Sequence, residues 1–256
     1  MLETARCAGY ACLSMHAWVQ GGGGSQRDGR PILILRHDVD QNPRSVLPML
    51  AVETDLELTS TWYFRWRTAN PSVIRCVQEQ GGDVGLHYET LSRLRLAARF
   101  EGPAGDDVLA EARAILRREL SAFSVLFGPT SSACPHGDTR APDVRNAVLL
   151  EYEDPADWDL QFDCVGTMRG RRLAKWLTDR RLQGGGWKDA IDPLVLLAEG
   201  QTPILCLTHP NNWASDPSTL SDRLFSALLP DAGVNAVRIA RTGSDAPPYS
   251  VLQGHG

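Results

Sequence analysis

The sequence predicts an α/β fold built on a parallel sheet. Short apolar runs alternate with helical patterns from residue 31 onward, which is typical of parallel strands joined by helices. Several of these runs end in histidine or aspartate, and in a parallel α/β barrel such strand ends share one rim. A hydrophobic fraction of 43% with 22% charged residues is that of an ordinary globular protein, which fits this prediction.

The predicted elements follow from hydrophobic periodicity and turn residues. Strands are expected at residues 31–35, 59–64, 83–86, 131–134 and 204–207. Helices are expected at residues 44–56, 72–79, 106–123 and 193–198. Residues 140–188 are too irregular to assign.

The Gly-Gly-Gly-Gly-Ser stretch at residues 21–25 indicates a flexible linker. We therefore expect residues 1–30 to form an N-terminal appendage, loosely packed or detached. Residues 31–256 are expected to form a single α/β barrel domain.

Charge excludes some partners. The chain has 26 Lys and Arg against 31 Asp and Glu, a net charge of −5, which disfavours nucleic acid and anionic membranes. No apolar run reaches the ~18–20 residues that span a bilayer, and the first residues lack a secretory pattern. We expect a cytoplasmic protein whose six scattered cysteines are free thiols.

Four predicted strand ends carry side chains suited to chemistry. The first run ends in Asp38 and Asp40, and later runs end at His87, His136 and His209. Side chains alternate along a strand, so the two aspartates lie on one face. Histidine and carboxylate ligands holding one divalent ion are typical of hydrolytic sites, with a leftover carboxylate as base and a leftover histidine as acid.

Structural interpretations of the same residues remain open. A lone histidine at a strand end is more often a hydrogen-bonding residue than a ligand. The aspartate pair is equally explained as a helix cap or as an ion-pair partner of Arg36 or Arg44. Trp213 is either a core aromatic or a platform on which a sugar ring stacks.

The motifs resemble those of the polysaccharide deacetylases, the carbohydrate esterase family 4 with the chitooligosaccharide deacetylase homology domain. The resemblance covers about residues 31–213. It rests on Arg36-His37-Asp38-Val39-Asp40, Gly85-Leu86-His87 and Leu207-Thr208-His209. It implies that Asp38 is the base, that Asp40 and His87 bind the metal, and that His209 is the general acid.

The chain departs from the family pattern at two places. The family's second histidine falls at Leu91, which cannot bind a metal. The arginine- and proline-rich motif is replaced by Cys134-Pro135-His136-Gly137-Asp138, so His136 is expected to supply the third ligand, with Glu89 as the competing candidate.

The resemblance also implies a fold and an activity. The fold would be a deformed barrel of seven or eight β/α units. The activity would be removal of an N-acetyl group from an acetamido sugar. We further expect the sugar to belong to a polysaccharide or its precursor, the metal to be zinc, and Glu89 and Trp213 to bind the substrate. The alternatives are a degenerate barrel that binds sugar or a partner without hydrolysis, and a metal phosphoesterase.

Overall fold

The structure is a computed structural model that describes residues 1–170, 173–179 and 186–213. The helices are α1 (Leu2–Cys7), α2 (Met15–Gln20), α3 (Val46–Asp55), α4 (Pro71–Glu79), α5 (Thr90–Leu96), α6 (Asp106–Phe127), α7 (Cys164–Gly170) and α8 (Pro193–Ala198). The strands are β1 (Ala11–Ser14), β2 (Gln26–Arg27), β3 (Arg30–Val39), β4 (Thr61–Phe64), β5 (Asp83–Tyr88), β6 (Ser132–Pro135), β7 (Phe162–Asp163), β8 (Lys175–Thr178) and β9 (Ile204–Thr208).

The sheet has the order β7-β6-β5-β4-β3-β9-β8, and every neighbouring pair in this series is parallel. It curls into a half-barrel with helices packed against it, which confirms the predicted α/β fold class. Because the strands are parallel, their carboxyl ends meet along one rim of the curled sheet.

The central strand β3 is twice as long as the five residues predicted. Its last residues remain extended because they pair with β4 on one edge and with β9 on the other. The strand β1 pairs with the first half of β3, from Ile32 to Leu35, and β4 pairs with the second half, from Arg36 to Val39. Two short strands therefore share one edge of β3 end to end, so β1 belongs to the sheet.

The prediction that the N-terminal segment packs loosely is wrong. The strand β1 pairs in parallel with β3, and Ala5, Met15 and Trp18 are buried. Met15 and Trp18 fill the inside of the curled sheet beside Ile32 and Ile34. The apolar side chains before the glycine run thus complete the core. Residues 21–25 connect α2 to β2, and the Gly24 carbonyl oxygen accepts a 2.9 Å hydrogen bond from Trp18 Nε1.

The two faces of the sheet bury separate apolar clusters. The concave inner face holds Met15, Trp18, Ile32, Ile34, Tyr63, Phe162 and Leu205, among others. The outer face of β4, β5 and β6 packs on helices α3 to α6, and the outer face of β3 and β9 packs on α1 and α8. Among the helices in the described ranges, none combines the length and apolarity that crossing a membrane requires.

Residues 140–188, which the periodicity left unassigned, supply both ends of the sheet order. The strand β7 pairs with β6 at one end, and β8 pairs with β9 at the other. Both strands are short, with two and four residues, and β7 leads directly into α7. The two residues of β7 are too few for an alternating pattern, and the apolar pair Trp176-Leu177 of β8 is flanked by Lys175 and Thr178, so it forms no longer apolar run.

Candidate functional site

The first side chains of the site come from the inner face of β3. Arg36 and Asp38 of β3, and Asp40 directly after it, alternate with outward-facing residues, as a period of two requires. The Arg36 guanidinium donates from Nε to Asp38 Oδ1 at 2.9 Å and from Nη2 to Asp38 Oδ2 at 2.7 Å. Both residues are almost fully buried. Burial opposes ionisation of Asp38, but the Arg36 charge holds its pKa below the usual value.

Asp40, His87 and His136 form a group of potential metal ligands. One donor atom from each lies within 4.8 Å of the other two. His87 Nε2 lies 3.4 Å from Asp40 Oδ1, and His136 Nε2 lies 3.6 Å from Asp40 Oδ2. The two imidazole rings are perpendicular, with centroids 5.1 Å apart. The structure therefore brings together the three residues that the sequence proposed as ligands.

The protonation and bonding of these side chains fit a divalent ion. His87 Nδ1 lies 3.0 Å from the Cys134 carbonyl oxygen, which leaves Nε2 turned toward Asp40. Burial lowers the pKa of His87, so its imidazole is neutral, the form that binds metals. Among the residues described, Asp40 Oδ1 and His136 Nδ1 are buried without a hydrogen-bond partner. Two imidazoles and one carboxylate, with further positions open, are a usual donor set for catalytic zinc.

Strand β5 reaches this position because Gly85 lies two residues before His87 on the inner face. A Cβ atom at Gly85 would lie 2.5 Å from the Ser132 carbonyl oxygen and 2.7 Å from a ring carbon of Tyr63. Glycine therefore allows the Tyr63 ring and β6 to approach, and His87 stands at the next inward position of β5.

His209 lies beside the proposed ligand group, with Nε2 3.7 Å from Asp40 Oδ2. Asp179, the residue after β8, lies 2.6 Å from His209 Nδ1 and also accepts a 2.8 Å hydrogen bond from its backbone N–H. Burial alone would lower the pKa of His209, but the carboxylates of Asp179, Asp38 and Asp40 raise it to about 8. At neutral pH His209 is therefore mainly protonated and can donate a proton.

Glu89 is placed at the edge of the site, apart from the ligand group. It forms an ion pair with Arg65, whose guanidinium also donates to the Asp40 carbonyl oxygen at 3.3 Å. Within the described residues, Glu89 belongs to neither set of clustered metal donors. The structure thus favours His136 over Glu89 as the third ligand.

Trp213 lies at the rim and is 42% exposed. Its Nε1 donates a 2.8 Å hydrogen bond to Asp179 Oδ2, and its ring centroid lies 5.5 Å from that of Trp187. Trp213 is thus joined to the carboxylate that holds His209. This placement suits the stacking interpretation better than the core interpretation.

Leu91 has the role that its apolar side chain suggests. It is 2% exposed and belongs to the core cluster between the sheet and the outer helices. The position at which the sequence resemblance places a family histidine is thus buried in apolar packing. Leu91 lies in α5, whereas His136 reaches the ligand group from the end of β6.

Sequence reasoning missed Asp179. The residue follows the short apolar pair Trp176-Leu177 in β8, so the signal was the same as for the other site residues, a titratable side chain after a strand. The prediction did not include this strand and therefore lacked its terminal carboxylate. An ion pair between Arg36 and the aspartates is one of the predicted alternatives, and the structure pairs Arg36 with Asp38.

The chain was compared with known proteins. No protein-family model matches it, and no curated protein sequence does so significantly. Among solved structures it is similar to a wild-type CE4 family pseudoenzyme from Bacillus anthracis, with 11% identity and a TM-score of 0.41 over 77% of this chain and 61% of that chain. A mutant of the same pseudoenzyme, described as having restored enzymatic activity, gives 12% identity and a TM-score of 0.43 over 75% and 61%. The chain therefore spans about 61% of the length of these solved structures.

Proposed function

We propose that this protein is a metal-dependent hydrolase that removes the N-acetyl group from an acetamido sugar. The observation that carries the proposal is the convergence of Asp40, His87 and His136 within 4.8 Å, beside His209, whose pKa the nearby carboxylates raise to about 8. Ligands from three strands meet at one rim, which is the arrangement of an open catalytic metal site.

Asp40, His87 and His136 would hold the divalent ion, for which zinc is the best match. When bound, such an ion supplies Lewis acidity, which polarises a carbonyl oxygen and makes a water molecule more acidic. The burial of His87 and the partial exposure of Asp40 leave the solvent side of the group accessible to substrate.

Asp38 and His209 would act as general base and general acid. Arg36 keeps Asp38 ionised, so Asp38 can accept a proton from the attacking water. His209, protonated through its contact with Asp179, can donate a proton to the leaving amine nitrogen. An amine leaves poorly as an anion, so the donor is required for amide cleavage.

The proposed substrate class is supported by the resemblance of the sequence motifs to polysaccharide deacetylases and by the aromatic residues at the rim of the sheet. Trp213 and Trp187 present neighbouring aromatic rings beside His209, and such rings suit the apolar face of a sugar. We propose an acetamido sugar of a polysaccharide or its precursor, with Glu89 and Trp213 near it. A cytoplasmic location, which remains a prediction, would favour the precursor.

A degenerate barrel that binds sugar or a partner without hydrolysis is the second candidate. It is favoured by Leu91, which is buried in the core at the position of a family ligand. The two functions differ in their need for metal. Hydrolysis requires the ion, whereas sugar affinity in the binding candidate is unaffected by chelators.

The test is metal analysis of the protein purified without chelator, together with acetate release from N-acetylated oligosaccharides. We expect about one zinc ion per chain and activity that is lost on chelation and restored by zinc. Asp40→Asn is expected to lose both the ion and the activity, and Asp143→Asn, in an exposed ion pair with Arg95, is the matched control. Wild-type protein that folds but binds no divalent ion would contradict the proposal.

A further inference from the structure

Two overlapping groups of metal donors share His87. The first is the proposed ligand group Asp40, His87 and His136, which we call the outer group. The second lies deeper in the curled sheet and consists of Asp38, His87 and Cys134, which we call the inner group; all three residues are buried. His87 Nε2 is 3.4 Å from Asp38 Oδ2 and 3.4 Å from Asp40 Oδ1, so distance alone does not select one group.

The Arg36 guanidinium fills the space between the donors of the inner group. Its Nη2 lies 2.7 Å from Asp38 Oδ2 and 2.7 Å from Cys134 Sγ. Arg36 is 3% exposed, and its guanidinium carbon lies 5.4 Å from the centroid of the Tyr63 ring. A buried guanidinium retains its charge, so two of the three inner donors already contact a permanent cation.

We propose that Arg36 excludes the divalent ion from the inner group and thereby decides which aspartate binds metal. The proposal rests on the metal site of the proposed function. A metal ion cannot approach two donor atoms that each contact Nη2, because the two cations would repel and overlap. Asp40 is therefore the ligand, and Asp38 stays ionised and free of metal.

Without Arg36, the inner group would become the stronger site for a soft ion. It offers a sulfur ligand beside imidazole and carboxylate, and metal binding would release the Cys134 thiol proton to solvent. The outer group contains only nitrogen and oxygen donors. Sulfur in the coordination sphere therefore distinguishes the two positions without an activity measurement.

The first experiment uses the wild-type full chain loaded with Co²⁺ or Zn²⁺. We expect the Co²⁺ spectrum to lack the sulfur-to-cobalt charge-transfer band, and zinc X-ray absorption to find nitrogen and oxygen neighbours without sulfur. Cys134→Ser is expected to leave metal affinity and the spectrum unchanged. A sulfur ligand in the wild-type protein overturns the proposal.

The second experiment removes the guanidinium. Arg36→Gln is expected to acquire the sulfur-to-cobalt band and to lose it again in Arg36→Gln/Cys134→Ser, whereas Arg36→Lys, which keeps the charge, is expected to resemble wild type. Removal of one partner from a buried ion pair destabilises the fold. If Arg36→Gln is unfolded without metal, Co²⁺ is expected to restore folding together with the band, because the ion replaces the lost charge.

The outcomes separate this inference from the proposed function. Wild-type protein that binds no Co²⁺ or Zn²⁺ contradicts the proposed function. Wild-type protein that binds the ion through nitrogen and oxygen supports the proposed function. The spectrum of Arg36→Gln then decides the Arg36 proposal. Arg36→Gln that binds Co²⁺ without the sulfur band, or that Co²⁺ fails to refold, overturns the Arg36 proposal alone.

Discussion

His37 and His87 are equally buried, yet their ring nitrogens have different hydrogen-bond partners. Each is 3% exposed and lies near the carboxyl end of its strand. His37 contacts partners through both ring nitrogens, with Nδ1 2.6 Å from Thr208 Oγ1 and Nε2 2.7 Å from Glu53 Oε1. His87 uses Nδ1 on the Cys134 carbonyl oxygen, and its Nε2 faces two carboxylates at 3.4 Å.

The difference between them is the face of the sheet. His37 points outward from β3 to α3, where Glu53 satisfies it, and His87 points inward from β5 to the rim of the site. Burial and position in the strand do not distinguish a structural histidine from a metal ligand. The number of ring nitrogens already bonded to a partner does, because a ligand must keep one lone pair free.

The largest effect is expected from exchanging these two histidines for alanine. His87→Ala removes a proposed ligand, so we expect metal affinity to fall by more than the roughly 10–100-fold that loss of an outer partner costs. His37→Ala is expected to keep the metal but to lower the free energy of unfolding by roughly 1–3 kcal/mol, since buried polar atoms lose their partner. Metal analysis and thermal unfolding of both variants provide the measurements. If His37→Ala also lost the ion while remaining folded, the contrast between the two faces would fail.

Asp38 and Asp40 allow a second comparison, between two residues on the same face of the sheet of which only Asp40 is a proposed metal ligand. Asp38→Asn is expected to retain metal and to lose roughly 10²–10⁴-fold in turnover, the usual contribution of a positioned base. Asp40→Asn is expected to lose the metal itself. Acetate release and metal content are measured in parallel. Joint loss of metal and activity in Asp38→Asn would make Asp38 a ligand and reverse the assignment.

The local sequence pattern correctly predicted which residues lie on the inner face of the sheet at the site. Alternation along β3 predicted that Asp38 and Asp40 share a face, and strand ends predicted the positions of His87, His136 and His209. These predictions depend on periods of two and on parallel pairing, which the sequence carries directly. The sequence also left an Arg36 ion pair open as an alternative. The structure contains both that pair and a separate donor group around Asp40.

Predictions failed where contacts between distant segments decide the structure. Short β1 joins the sheet only because β3 is long enough to pair with β1 and β4 along one edge. Asp179 contacts His209 only because β8 pairs with β9, and β8 itself has four residues. Each of these strands has four residues, and its place in the sheet is decided by its pairing with β3 or β9, which the local sequence does not specify.

His209 provides a further comparison, between two kinds of substrate. His209→Ala is expected to lower turnover of N-acetyl sugars by roughly 10²–10³-fold, because an amine leaves poorly without a proton donor. Nitrophenyl acetate has a good leaving group, so its hydrolysis is expected to fall far less. The two assays are run on the same preparation with metal content checked. Equal losses would indicate that His209 positions substrate or metal and donates no proton.

The smallest effect concerns Asp179 and the pKa of His209. In metal-free protein we expect His209 to titrate at about 8, above the model-compound value of 6.5, because Asp179 and the nearby aspartates stabilise the imidazolium. A raised pKa in the folded state stabilises the fold below pH 6.5, and this contribution is lost as pH rises through about 8. Asp179→Asn keeps a hydrogen-bonding side chain and removes the charge, so the pKa is expected to fall toward 6.5.

Histidine NMR titration measures this shift, with Trp213→Phe as the matched control. Trp213 donates to Asp179 Oδ2, so the control removes a hydrogen bond to the same carboxylate while its charge remains. We expect the control to leave the pKa of His209 close to about 8. An unchanged pKa in Asp179→Asn would assign the raised value to Asp38 and Asp40. His209 would then sense Asp38 and Asp40 directly, and its protonation would depend on whether a metal is bound to Asp40.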